Sequence, residues 1–412
     1  MTRVFSTDIA IIGGGIAGLW LLNRLGNEGY HVALFEESRL GRGQTIASQG
    51  IIHGGLKYAL HGKLDGAAEA IAAMPARWRE CLGGRGDVDL RECSILSEHY
   101  YMWSSANYRS KLKAFLGSRA LRGRISPVAS CDYPEFFKRA TIAGSLYQLP
   151  DFVVDSASLL ETLKGNWRDR IFNVDLSEAS FSRSHGAVMT IPCNEGLIEV
   201  SAQRMVFCAG EGNAALMNRA GISSVNMQSR PLHMVIARGR HLPLGYVHCV
   251  GDKLSLTPEL TLTAHHCEDG DVAWYLGGEL AESGMGRDSE AQVRAAASLL
   301  HRLFPWIDLD DVSWNTFLIN RAEARLEGRH RPDDAFLHTD SHFSVAWPTK
   351  LTLSPNLADQ VMADLNSGNI HPSCQTSSQT SSQTSRPEST DALRKLLPLP
   401  AIAAPPWDSP NE

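Results

Sequence analysis

The chain has 412 residues, with 39 Lys+Arg against 45 Asp+Glu, a formal net charge of -6 and 43% hydrophobic residues. That is chain enough for two or three domains with real cores, which excludes a disordered or fibrous protein and removes any need for metal or disulfide staples. The acidic balance argues against a nucleic-acid platform, which presents a basic face.

In chain order, the first apolar run is Ile9 to Leu22. It is too short for a membrane span, which takes about 20 residues. Only Arg3 precedes it and Asp8 abuts it, so it is not a secretory signal, and no other segment qualifies as transmembrane. Instead, residues 8–37 read as strand, tight turn, helix and strand, the size of one βαβ unit. Residues 64–82 read as a helix, and 156–164 as a short helix capped by Asp155 or Ser156. Strands are expected at 171–176, 187–192, 197–200 and 203–208. More follow at 231–238, 247–250, 254–264 and 272–278. Residues 287–304 read as a helix, 343–346 as a last strand, and 355–365 as a helix capped near Ser354. The tract 375–385 is all Gln, Thr and Ser, so it is read as a disordered linker. Residues 392–407 are apolar and proline-rich, and either dock as a strap or stay free.

The eight cysteines form no CxxC pair, so no zinc site or thioredoxin-like motif is indicated. Reduced thiols in a cytoplasmic chain are the simplest reading. His265, His266 and Cys267 do not suggest a metal, because neighbours on a strand point to opposite faces.

Gly13, Gly15 and Gly18 fit G-x-G-x-x-G between a strand and a helix. The first glycine allows the tight turn, the second the approach of a pyrophosphate, and the third close helix–strand packing. The helix N-terminus then offers N–H groups and a positive dipole to phosphate. Glu36 ends the second strand 23 residues after Gly13, where a carboxylate accepts ribose hydroxyls and repels a 2′-phosphate. The fingerprint alone does not separate FAD from NAD.

The segment Gly41 to Tyr58, with Ile52-His-Gly-Gly-Leu-Lys-Tyr58 at its end, resembles the second flavin-contacting segment of the D-amino-acid-oxidase-like superfamily. Its nearest likenesses are aerobic glycerol-3-phosphate dehydrogenase and, more loosely, L-2-hydroxyglutarate oxidase. Cys208-Ala-Gly210 resembles the turn that flanks the adenosine. Segments from Arg230 and from Trp274 resemble strands of the substrate domain. Pro348 to Asp359 resembles the segment beside the flavin ring. The resemblance departs at Lys57, where the dehydrogenase has arginine, at Pro348-Thr349, where it has two glycines, and around Arg321.

The resemblance implies FAD as cofactor, and no metal is expected beside it. Its cofactor-binding residues would be Gly13, Gly15, Gly18, Glu36, Thr45, Ser48, Gln49, His53, Gly54, Gly210 and Leu351. Arg321 is the first choice for anchoring a substrate anion, since a guanidinium binds carboxylate or phosphate bidentately. The alternative for Arg321 is a salt bridge to Glu323 or Glu327. Lys350 would stabilise negative charge on the reduced ring, and His233 could act as base. Lys57, Tyr58 and Arg325 would line the substrate pocket.

The expected fold is α/β, a discontinuous Rossmann-like FAD-binding domain (1–85, 150–225, 325–366) with a β-rich α+β substrate domain (86–149, 226–324). Residues 367–412 are expected to be a low-complexity, largely disordered tail. The expected reaction is oxidation of a small anionic hydroxy or amino compound by hydride transfer to flavin. The electron acceptor is open among oxygen, quinone and a carrier protein. The location is the cytoplasm, or peripheral at the inner face of the membrane. Two rivals stand beside it: flavin-dependent modification of tRNA or another macromolecule, and a non-catalytic flavin-binding assembly protein.

Overall fold

The computed structural model describes residues 2–55, 66–105, 125–140, 142, 144–184, 186–193, 195–250, 257–327, 332, 334–373 and 390–409. Its framework is two eight-stranded sheets. The strand Thr2–Ile12 is buried on both faces from Thr7 onward and apolar from Ile9, as a central parallel strand must be. It pairs in parallel with Val32–Glu36 on one edge and with Gly196–Phe207 on the other. Ile171–Asn173 and Phe343–Trp347 extend the parallel part, and antiparallel strands Ala187–Cys193 and Ser180–Ser182 close one edge. One face of this sheet buries Ile9 and Ile11 under the helices Ile16–Asn27, Ser156–Asn166 and Ser354–Ser367. The other buries Ala10, Ile12, Phe35 and Phe207 with Leu216 and Met217 of the helix Asn213–Ala220.

The second sheet runs in the order Ser313–Ala324, Met227–Gly239, Val272–Gly277, Leu260–His266, Tyr246–Cys249, Tyr100–Ser105, Gly144–Leu149, Ser126–Pro127. One of its faces carries Val235, Trp274 and Leu276 against Leu300 and Leu303 of the helix Ser289–Leu303. Asp288 caps that helix by accepting from Ala291 N at 2.7 Å. Its other face carries Met234, Ile236 and Tyr275. A small third sheet, Ile51–Ile52, Phe152–Val154 and Ile95–Ser97, ties the loop after the second strand to the body. The α/β architecture is therefore the expected one.

Three expectations change. The segments 197–200 and 203–208 are one strand, Gly196–Phe207, because its pairings on both edges run unbroken through Ser201 and Ala202. The strand Ser313–Ala324 has no sequence signal: it is a half-exposed edge strand, so polar Asn315, Thr316 and Asn320 break its alternation. Its order comes from twelve paired positions with Met227–Gly239. The tail is also not free throughout: residues 390–409 pack into the body, with Leu393 and Trp407 at 1% and 3% exposure. The tract 375–385 lies outside the described residues.

Candidate functional site

The glycine turn is built as its spacing requires. Gly13 has φ 110, and a Cβ there would stand 2.7 Å from the main chain of Ala209. A Cβ on Gly18 would lie 1.9 Å from Gly13 O, so only glycine lets the helix sit this close to the strand. Gly15 starts the helix Ile16–Asn27 with no side-chain cap and no acid in the first turn. Thr45 Oγ1 accepts from Ile16 N at 3.0 Å. Glu36 ends the second strand, and its carboxylate accepts from Gly14 N at 2.6 Å and Ser38 N at 2.8 Å. Ser38 Oγ also donates to it at 3.2 Å, so the carboxylate closes the turn and keeps one lone pair, on Oε2, for a ribose hydroxyl. Gly210 has φ 58, and its carbonyl accepts from Trp347 Nε1 at 3.1 Å.

The loop from Thr45 to Gly54 crosses toward the second sheet. Ser48 pairs its hydroxyl with that of Ser156 at 2.8 Å. Gln49 donates to the carbonyls of Tyr275 at 2.9 Å and Thr261 at 3.2 Å. Thr352 Oγ1 donates to His53 O at 3.4 Å. Gly54 N donates to Asp151 Oδ1 at 2.9 Å. Asp151 is buried, and loss of hydration pushes its carboxyl up to about 7, against the opposing pull of the Gly54 N–H.

A cavity of about 270 Å³ opens where this loop meets the second sheet and the turn before the last long helix. Ser48, Gln49, Arg321, Lys350 and Leu351, five of the predicted residues, line it together. Arg230, Glu323 and Thr349 line it as well. Arg230 and Arg321 are direct register partners, so both guanidiniums rise from one face of the sheet. Glu323, buried, receives Arg230 Nε at 2.5 Å and Nη2 at 3.2 Å, and Gln228 Nε2 at 2.9 Å. Arg321 instead reaches Glu282 at 3.3 Å, and neither Glu323 nor Glu327 is its salt-bridge partner. Burial first, and the charge of Arg230 second, push the Arg321 guanidinium below its usual range. Its Nε is buried without a partner among the described residues. Thr349 holds φ 58, a strained state for a β-branched residue, and its Oγ1 donates to Asp334 O at 3.1 Å.

His233 does not join them. It is an odd position on Met227–Gly239, whereas Arg230 is an even one, so its ring points to the opposite face. There it sits buried, with Nδ1 3.1 Å from Gly284 O. Arg325 is exposed beyond the end of its strand and is not part of the cavity lining. Lys57 and Tyr58 lie outside the described residues. The sequence offers Glu323 only as an alternative partner of Arg321 and Arg230 only as the start of a strand, and gives no sign of Asp151 or of the place of the other two in the site. Their roles depend on pairing and burial.

The chain fits a flavin dinucleotide. Glycines at 13 and 18 let the turn and helix pack where a Cβ would clash, the helix starts at Gly15 with no acid in its first turn, and two buried donors, Arg321 Nε and Tyr275 Oη, lack protein partners among the described residues. Among the described residues no cluster of His, Cys, Asp and Glu could hold a metal, and no helix is long and apolar enough to cross a membrane.

A family model described as FAD dependent oxidoreductase (DAO) matches residues 8–340. The curated "Probable FAD-dependent oxidoreductase PA4991" of Pseudomonas aeruginosa is 41% identical over 409 residues, 99% of each chain. The crystal structure of PA4991 is similar with a TM-score of 0.81 at 37% identity, covering 99% of both chains. Glycine oxidase from Geobacillus kaustophilus has a TM-score of 0.63 at 18% identity, over 88% of this chain and 95% of its own. L-alpha-glycerophosphate oxidase from Mycoplasma pneumoniae, solved with FAD bound, has a TM-score of 0.61 at 15% identity, over 88% and 95%.

Proposed function

The chain belongs to the DAO family of FAD-dependent oxidoreductases and is an enzyme with FAD as its cofactor, and from that premise we propose that it dehydrogenates a small anionic compound, an amine before an alcohol, in the cavity that Arg321 and Lys350 line. The observation that carries the reading is the convergence of Arg230, Arg321 and Lys350 on one cavity together with the loop Ser48–Ile51. Bound FAD supplies the two-electron acceptor for the substrate C–H bond. Everything else is the work of this chain. Arg321 meets the carboxylate or other anionic end, and its partly desolvated guanidinium gains most from an incoming negative charge. Glu323 fixes Arg230 beside it. Lys350 adds a cation at the end of the cavity nearer the last long helix.

The amine is preferred for a specific reason. An alcohol needs a base, whereas an amine can arrive neutral. Among the described lining residues the one carboxylate, Glu323, already accepts from three donors, and His233 faces away. Glycine oxidase and glycerophosphate oxidase share the fold at 18% and 15% identity, which does not choose between their substrates. The same reading takes residues 1–85, 150–225 and 325–366 as the FAD domain and 86–149 and 226–324 as the substrate domain. The electron acceptor is oxygen, a quinone or a carrier protein.

The test is an anaerobic titration of the holoenzyme with amino acids, hydroxy acids and sn-glycerol-3-phosphate, read as bleaching of the flavin band. An amino acid is expected to bleach it. Arg321→Met is expected to keep its FAD while requiring on the order of 100-fold more substrate, as loss of a charge-assisted anchor predicts. A flavin that none of these compounds reduces, or an unchanged titration in the Arg321 variant, would overturn the reading.

A further inference from the structure

The segment from Thr390 to Ser409 lies beyond the residues that the family model matches, yet it joins both sheets. At its start, Leu393 and Leu397, one helical turn apart, are buried in the core of the nucleotide sheet. Arg394 donates to the carbonyl of Ile171 at 2.9 Å, and Asn173 N donates to Pro398 O at 2.8 Å. The chain then runs beside Leu40. Leu40 N donates to Ala401 O at 2.8 Å, and Ala403 N donates to Leu40 O at 3.0 Å. At the far end, Trp407 stacks on His265 with centroids 3.9 Å apart. Arg238 Nη1 donates to Trp407 O at 3.0 Å, and Glu268 N to Asp408 Oδ1 at 3.2 Å.

Leu40 connects this strap to the glycine turn. Gly41 N donates to Gly14 O at 2.9 Å, and Glu36 holds Gly14 N. The Gly14 residue is thus gripped at both its N–H and its carbonyl by residues 36–41, and those residues are gripped by the strap. Leu40 also covers Gly14, since a Cβ there would meet Leu40 Cδ2 at 2.3 Å. Between the two anchors lies a cavity of about 550 Å³. Arg39, Arg42 and Asn173 line it from the nucleotide side, Phe317 from the second sheet, and Ala403 and Pro406 from the strap.

We infer that the strap is part of the cofactor site: it walls the nucleotide end and holds the Gly14 turn in its phosphate-receiving shape, so that FAD leaves only when the strap lets go. The inference rests on FAD as cofactor and not on the substrate reading. By linkage, a strap that retains FAD is itself retained by FAD.

The test follows FAD release from the holoenzyme as the rise in free-flavin fluorescence after dilution. Trp407→Ala removes the far anchor, and Ala403→Pro removes one N–H donor. Each is expected to speed release by about tenfold, the size of losing one buried stack or hydrogen bond. The double variant is expected to release FAD little faster than either alone, because both changes open the same strap. In the parent, FAD is expected to slow tryptic cleavage after Arg394 and Lys395 several-fold. Release rates within twofold of the parent in both variants would overturn the inference. So would an equal fall in the melting temperature of apo and holo forms with no change in release. Should Trp407→Ala fail to fold, Ala403→Pro alone decides in the same assay.

Discussion

Replacing Asp151 by asparagine is expected to stabilise the protein at neutral and alkaline pH. Asp151 is buried at the turn between two strands, and its described hydrogen-bond donor is Gly54 N, at 2.9 Å. Its carboxyl is raised from 3.8 to about 7, chiefly by burial. Between those values the folded protein keeps a proton that the unfolded chain gives up. Raising the pH through that window therefore costs stability, at about 1.36 kcal/mol per pH unit. The whole gap is worth about 4 kcal/mol, of which roughly 2–3 falls between pH 5 and pH 8. Asparagine keeps an oxygen for Gly54 N–H and carries no charge. Urea midpoints of parent and Asp151→Asn, measured across that range, should diverge as the pH rises, with the variant ahead at pH 8. Other titrating groups cancel in the difference. Parallel pH profiles, or a variant less stable than the parent at pH 8, would refute the reasoning. Because Gly54 belongs to the predicted flavin loop, the parent should also hold FAD less tightly above pH 7, and the variant should not.

Gly13→Ala is expected to abolish FAD binding while the chain still folds poorly at best, because its Cβ would meet the Ala209 main chain at 2.7 Å at a φ of 110; the visible spectrum and a thermal melt read both effects. Glu323→Gln leaves the Arg230 guanidinium half-buried without its counter-charge. It should cost about 2–3 kcal/mol in urea unfolding, and the companion change Arg230→Met should return most of it. His233→Asn should leave the pH profile of flavin reduction unchanged, since the ring points away from the cavity toward Gly284 O; a shifted profile would restore it as a base.

The nucleotide end was legible in the sequence because its chemistry is local. A glycine at positive φ, a glycine under a helix and an acid at the end of the next strand are each required by a few bonded neighbours, and they occur at Gly13, Gly18 and Glu36. Parallel strands buried on both faces leave unbroken apolar runs, so the first sheet could be read as well. The proposed substrate end was only partly legible. Arg321 and Lys350 were singled out through resemblance, and the fold brings them to one cavity. That Arg230 faces Arg321 was set by register between strands about ninety residues apart, and register leaves no mark on an edge strand half exposed to water. The same pairing turned His233 away, since one residue along a strand exchanges faces. The strap shows the division most plainly. Its apolar, proline-rich composition is compatible with docking or with freedom. Only the folded body, with a main-chain edge at Leu40 that pairs with Ala401 and Ala403 and an aromatic seat beside His265, decides that residues 390–409 dock.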